Sequence, residues 1–233
     1  MYKGLYDQFA HWFHDGQGQV YFYSDPHFAD DEMQYIRRNY IGDDEQIKRI
    51  NSKIGKYDTL VILGDIGDVE WVSKIRGYKV LIKGNHDGGA SNYKRNMDTI
   101  QEFTNEKMTQ EDVVKLVAAK TPEQMSEILD KYTTTSLRDN HLFDEVYEGP
   151  LFIAEKILLT HEPVYFPYAL NIHGHDHSGW TYNDLWHWNM CAENIDYTPV
   201  CLKEILTSGR LKQIADIHRV TIDTATAKSN KKN

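Results

Sequence analysis

The chain has 233 residues, of which 40% are hydrophobic and 26% charged, and it carries a net charge of −9. That length and apolar share suit one sizeable core, so one domain with an insertion fits better than two full domains. No apolar run approaches the roughly 20 residues that span a bilayer, and the acidic balance argues against a nucleic-acid coat protein built on a basic stripe.

The first eight residues, Met1 to Gln8, lack the apolar core of a signal peptide. Cys191 and Cys201 are the only cysteines and form no Cys-x-x-Cys motif, so a reducing, cytoplasmic setting is expected. Carboxylates gathered around metal ions are neutralised locally, so net charge understates the positive character of such a site.

In chain order, Tyr6, Phe9, Ala10 and Phe13 have roughly helical spacing, and Gly16 and Gly18 break it. Val20-Tyr21-Phe22-Tyr23 reads as a buried strand delivering Asp25 and His27 at its end, with Pro26 stopping the ladder between them. Residues 30–56 read as helical, with Ile36, Ile47, Ile50 and Ile54 as the apolar stripe. An Asp of Gly42-Asp43-Asp44 is expected to cap the second helix, and Gly55 to end it.

Thr59 to Leu63 is a continuous β-branched and aliphatic run of the kind buried on both faces of a layered sheet, and it ends in Gly64-Asp65-Ile66-Gly67-Asp68. Val69 to Arg76 reads as a short helix, and Lys79 to Ile82 as a third strand ending in Lys83-Gly84-Asn85-His86-Asp87. Three successive strands thus end in small and polar residues with ligand chemistry, where open sheets with covering helices place their sites.

Residues 91–140 lose β-propensity and gain Lys, Glu, Gln and Met. Thr109 with Asp112, and Thr121 with Pro122 and Gln124, look like helix starts, so a helical insertion is expected here, either a lid or a solvated excursion. Phe143 to Tyr147 and Leu151 to Ala154 read as strands around a Gly149-Pro150 turn, and Ile157 to Thr160 as a strand ending at His161.

Asn171-Ile172-His173-Gly174-His175-Asp176-His177 follows. Strand-like spacing puts His175 and His177 on one side of the backbone, and Gly174 removes a side chain that would crowd the turn. Imidazoles are the commonest protein ligands for transition metals. Beyond this cluster the pattern predicts a strand over Trp188 to Ala192, a helix from about Leu202 to Ile214, a last strand at Arg219 to Asp223, and a frayed polar tail from Lys228.

In order, the polar strand ends read Asp25-x-His27, Gly64-Asp65-x-x-Asp68, Gly84-Asn85-His86-Asp87, His161 and Gly174-His175-x-His177. This set resembles the calcineurin-like metallophosphoesterase superfamily, whose signature is DxH, GDxxD, GNH(D/E), H and GHxH, with every element present. The resemblance implies an α/β layered fold, a four-layer α-β-β-α sandwich with two facing mixed β-sheets, as a single domain over residues 1–233 with the insertion at about 91–140.

It also implies a centre of two divalent metals. Asp25, His27 and His177 would hold the first, Asn85, His161 and His175 the second, and Asp65 would bridge them. His86 would face the substrate phosphate as a general acid, with Asp68 as its orienting partner; His173 lies outside the signature and is read as structural. The implied function is phosphodiester hydrolysis by attack of a metal-bridging hydroxide on a small or nucleotide-like substrate.

N/O ligation suits Mn, Fe, Zn, Ni or Co better than Ca, with Mn favoured. The stretch Gly77 to Lys83 and Arg95 offer cations near the site. The alternatives are a phosphomonoesterase or protein phosphatase, a nuclease, and a non-catalytic interaction module on the same fold. No membrane partner is expected.

Overall fold

A computed structural model describes residues 4–87, 142–179 and 182–230, together with the helical positions 111, 115 and 118. The chain divides into two compact units, residues 1–87 with 143–233, and residues 88–142. In the second unit Glu111, Lys115 and Ala118 are helical, and Lys115 Nζ donates to Glu111 Oε1 at 2.7 Å in an i,i+4 pair. The helix starts and apolar faces expected across 91–140 otherwise lie outside the described residues.

The first unit holds two mixed sheets. In the first, β1 (Val20–Tyr23), β2 (Thr59–Ile62), β3 (Tyr78–Ile82) and β4 (Glu145–Tyr147) are parallel, and β9 (Val200–Cys201) is antiparallel at the edge beside β1. In the second, β5 (Leu151–Ala154), β6 (Ile157–Leu159), β7 (Leu170–His173) and β8 (His187–Asn189) run in that order, antiparallel only between β5 and β6. The Gly149-Pro150 turn therefore passes the chain from one sheet to the other.

The apolar runs explain this layering. β2 is buried at every position because its β-branched and aliphatic residues are covered on both faces. Phe22, Val61 and Val80 of the first sheet share one core with Ile153, Leu159 and Ile172 of the second. Burying each such side chain stabilises the fold by roughly 1.5–3 kcal/mol. Phe9 and Trp12 of the 3-10 helix Asp7–Gly16 join this core.

Helices flank the sheets. α1 (Met33–Ile36) and α2 (Asp43–Lys53) connect β1 to β2, and the 3-10 helix Val69–Lys74 connects β2 to β3. The cap of α2 is Gly42; Asp43 lies inside the first turn, where Oδ2 accepts from Ala29 N at 2.8 Å instead. The helix ends on extended Ile54, and Gly55 serves the next turn by donating its N–H to Asp58 Oδ2.

The carboxyl-terminal region differs most from expectation. β8 stops at Asn189, and a 3-10 helix takes up Ala192–Ile195. The single helix expected from Leu202 to Ile214 is two, α3 (Leu202–Thr207) and α4 (Arg210–Gln213), broken at Gly209 with φ +82°. The strand expected at Arg219 to Asp223 lies inside a helix, α5 (Ile217–Asn230), which also takes up the expected frayed tail as far as Asn230.

Asp216 opens α5 by accepting from Arg219 N at 3.1 Å. Thr221, Thr224 and Thr226 donate their hydroxyls back to the carbonyls of Ile217, Val220 and Ile222 at 2.8, 2.8 and 3.0 Å. These back-bonds satisfy the hydroxyls of threonines that are strand-formers on propensity. Among the described residues no helix is long and apolar enough to cross a membrane.

Candidate metal centre

The loops after β1, β2 and β3 emerge at one edge of the first sheet, and those after β6 and β7 meet them from the second. Backbone pairing continues beyond the strands: Asp25 N donates to Gly64 O at 3.0 Å, His27 N to Asp65 O at 3.0 Å and Phe28 N to Ile66 O at 2.9 Å. Across the sheets, His175 N donates to Asp25 Oδ2 at 2.9 Å. Asp25, His27, Asp65 and His175 all have positive φ, between 45° and 67°, a sparsely populated region that recurs at functional sites.

Two glycines permit these approaches. A Cβ on Gly174 would lie 2.1 Å from Asp25 Oδ2, and one on Gly84 would lie 2.2 Å from Asp65 Oδ1. No side chain fits at either position without moving a carboxylate.

The side chains collect into two groups. Asp25, His27 and His177 each offer one atom, as do Asp65, His161 and His175, with the atoms of each group within 4.8 Å of one another. Asp25 Oδ1 lies 3.9 Å from His27 Nε2 and 3.5 Å from His177 Nε2. Asn85 Oδ1 joins the second group, 2.8 Å from His161 Nε2 and 3.0 Å from His175 Nδ1. Asp65 Oδ2 stands between the groups, 3.6 Å from His27 Nε2 and 3.3 Å from His161 Nε2, while Oδ1 accepts from His86 N at 2.9 Å.

The donor set fits metal ions. Asp25 Oδ1 and His27 Nε2 are buried and lack a hydrogen-bond partner among the described residues, a costly state that a cation relieves. His161 Nδ1 donates to Leu63 O at 2.7 Å, and His177 Nδ1 to Glu193 Oε1 at 2.6 Å. His27 Nδ1 faces Asp30 Oδ2 at 3.5 Å. In His161 and His177 the outer hydrogen bond fixes the tautomer that turns Nε2 inward.

Electrostatics set the protonation of the metal-free centre. Burial lowers the His27 pKa and favours the neutral ring. Burial also pulls the His161 pKa down, but the Asp65 hydrogen bond and the charges of Asp25 and Asp65 outweigh it and raise it to about 9. For Asp65, burial raises the pKa, and the contact with His161 more than reverses it. For His177, burial lowers it and Glu193 more than reverses that.

The His161 shift has a definite sign. A ring whose pKa rises from 6.5 to about 9 contributes stability that is complete below about 6.5 and lost as pH climbs through about 9. The chelator-stripped protein is therefore expected to lose melting temperature across that window. Metal loading near pH 7 should release a proton, measured by calorimetry in buffers of different ionisation enthalpy; no proton release there would contradict the assignment.

Residues to which the sequence reading gave no role support the centre. Arg37 is buried; its guanidinium donates to Asp25 O and to Pro26 O (3.1 Å), and Nε lies 3.5 Å from Glu193 Oε2. Glu193 thus ties His177 to the arginine that braces the Asp25 turn. Asp87 accepts from Asp65 N, Ile66 N and Gly84 N at 2.9, 2.9 and 2.6 Å, locking two ligand loops together. Such outer partners are typically worth about 10–100-fold in metal affinity. Glu193→Gln is expected to weaken metal binding by that factor in a calorimetric titration, with the fold intact by circular dichroism.

The expectation that Asp68 orients His86 does not match the contacts. Asp68 is exposed, and its Oδ1 accepts from Glu70 N at 2.9 Å as the cap of Val69–Lys74. A short carboxylate at that position is used to satisfy a free helix N–H. No hydrogen bond joins it to His86 among the described residues. His86 is exposed, with its ring centroid 5.7 Å from that of His27. His173 is fully buried, its two ring nitrogens 2.7 and 2.8 Å from the Gly174 and Tyr182 carbonyls, in keeping with a structural part.

The cations expected near the site are engaged elsewhere or undescribed. Lys83 Nζ donates to Glu148 at 2.6 Å, Lys79 Nζ donates to Gly77 O at 3.2 Å, and Arg95 lies outside the described residues.

The sequence profile described as calcineurin-like phosphoesterase matches residues 18–197. Comparison with curated proteins gives no match. A solved structure of a protein of unknown function from Aquifex aeolicus is 20% identical, with a TM-score of 0.46 over 81% of this chain and 97% of that one. The Pseudomonas putida nuclease MPE is 17% identical, with a TM-score of 0.33 over 67% of this chain and 60% of that one.

Proposed function

The chain belongs to the calcineurin-like phosphoesterase family, whose members bind divalent metals, and from that membership we propose that it hydrolyses a phosphodiester at a two-metal centre. The observation that carries this reading is Asp65 Oδ2, within 3.6 Å of a histidine nitrogen from each group. One carboxylate oxygen placed between two ligand sets is what a pair of ions held close together requires.

Bound divalent ions, with Mn favoured, would supply positive charge for the phosphate oxygens and a water of lowered pKa. Asp25, His27 and His177 would hold one ion, and Asn85, His161 and His175 the other, with Asp65 shared. The chain's own part is to keep these donors in place. Burial holds His27 neutral, Glu193 and the Leu63 carbonyl fix the rings of His177 and His161, and the His86 N–H fixes Asp65. His86, exposed at the rim, would give a proton to the leaving oxygen.

The test compares bis-p-nitrophenyl phosphate with p-nitrophenyl phosphate after stripping and reloading with Mn²⁺. Metal-dependent turnover that favours the diester supports the proposal. Preference for the monoester would make the protein a phosphatase, and absence of both turnover and bound metal would remove the enzymatic reading.

A further inference from the structure

Asp25 uses its two carboxylate oxygens differently. The residue is fully buried, and Oδ1 faces His27 Nε2 at 3.9 Å and His177 Nε2 at 3.5 Å. Oδ2 is crowded with donors instead. Ser24 Oγ lies at 2.5 Å, His175 N donates at 2.9 Å, and the thiol of Cys191 donates at 3.3 Å. Three donors more than fill the roughly two lone-pair sites of one carboxylate oxygen, so Oδ1 is the oxygen left for an ion.

The backbone brings Cys191 to this place. It follows β8, and its N–H donates to Asn189 Oδ1 at 2.9 Å. It forms a parallel bridge with Ser24, where Ala192 N donates to Ser24 O at 3.0 Å. The thiol is fully buried. Beside a carboxylate it keeps its proton, because a thiolate would set a second buried negative charge against the first. Ser24 does not do the same work alone, since its single hydroxyl proton has a second acceptor, Leu63 O at 2.9 Å.

We propose that Cys191 is a positioning residue of the centre: its thiol, with the His175 N–H and the Ser24 hydroxyl, holds Oδ2 of Asp25 and confines Asp25 to a single oxygen, Oδ1, toward the first ion. An outer hydrogen bond of this kind fixes the orientation of a ligating carboxylate. It also works against ions such as Ca²⁺, which take carboxylates through both oxygens. The inference rests on the two-metal reading of the centre and adds a residue that acts through Asp25.

The first readout is the infrared S–H stretching band of the metal-free protein. Cys201→Ser leaves Cys191 as the one thiol, and Cys191→Ala leaves Cys201, whose Sγ lies 4.0 Å from Gln19 Oε1, as the reference. The Cys191 band should lie at lower frequency, because its proton is shared with a charged carboxylate, and should rise when Mn²⁺ draws charge from Asp25. The second readout is calorimetric titration with Mn²⁺. Cys191→Ala should bind one of the two ions about tenfold or more weakly, the range for an outer partner, and Cys191→Ser, which keeps a donor, should recover most of that loss. A role in packing alone gives the reverse order, because a buried hydroxyl costs more than a buried methyl.

Coincident bands for the two thiols, Cys191→Ala with the Mn²⁺ affinity of the wild type, or Cys191→Ser weaker than Cys191→Ala overturns the inference. Failure of the wild type itself to take up Mn²⁺ removes the two-metal centre and this role with it. Uptake by the wild type and weakened uptake by Cys191→Ala, without turnover of bis-p-nitrophenyl phosphate, keeps the role and removes the phosphodiesterase reading.

Discussion

Asp65→Asn is expected to lower kcat/KM for the diester by on the order of 10³-fold and to reduce the bound metal from two ions to at most one. The amide keeps the shape of the carboxylate and can still accept the His86 N–H from its remaining oxygen. What it cannot do is present a charged oxygen to both ligand groups while the other is held. An amide NH₂ turned toward His27 Nε2 and His161 Nε2 would instead offer a donor where a cation belongs.

Transition-state charge stabilisation by such ions is worth several kcal/mol, and each 1.36 kcal/mol is tenfold in rate, which sets the size of the effect. Metal content by mass spectrometry and turnover should fall together. Asp65→Asn with two ions and full activity would show that Asp65 is not shared. The apo pH behaviour should change as well, because Asp65 is the strongest influence holding a proton on His161.

The ordered motifs made most of this centre legible in the sequence. Strand ends are set by where an apolar run stops, and that can be read locally: β1 and β5 fall where the residue pattern puts them, whereas His175 lies beyond β7 at φ +67°, so the strand-like spacing expected of His175 and His177 gives way to a turn that sends them to different ligand groups. The glycines could be read too, since Gly84 and Gly174 stand where a side chain would collide with an aspartate.

What stayed hidden depends on long-range contact. Glu193 lies 16 residues from His177 and 156 from Arg37, and no local pattern announces a carboxylate that joins them. Arg37 and Arg38 look alike in the sequence, yet one is buried against carbonyls and the other lines a cleft. At Asp68 a local use is what the contacts show: one carboxylate oxygen caps the helix that follows, which spacing to His86 does not announce. α5 likewise defeats a propensity reading, since its β-branched residues follow an Asp216 cap and its threonine hydroxyls are satisfied within the helix, neither of which strand statistics register.

His86→Ala is expected to reduce diester turnover by about 10²–10⁴-fold, the range for loss of a general acid, without reducing the number of metals bound. The two effects separate because the contact of His86 with the metal ligands is through its backbone: the N–H to Asp65 Oδ1 survives replacement by alanine. The ring itself is exposed, near His27, and accepts no duty among the described hydrogen bonds.

If its work is to protonate the leaving oxygen, the loss must grow with the basicity of the leaving group. It should be smallest for p-nitrophenolate, which departs readily as an anion, and largest for an alkyl alcohol. A series of methyl, phenyl and p-nitrophenyl diesters therefore distinguishes the role more sharply than any single rate. A uniform loss across the series would mean that the ring binds the phosphate in ground and transition states alike. A loss accompanied by missing metal would mean that the loop carrying Asn85 had moved. Only a leaving-group-dependent loss with both ions in place makes His86 the proton donor.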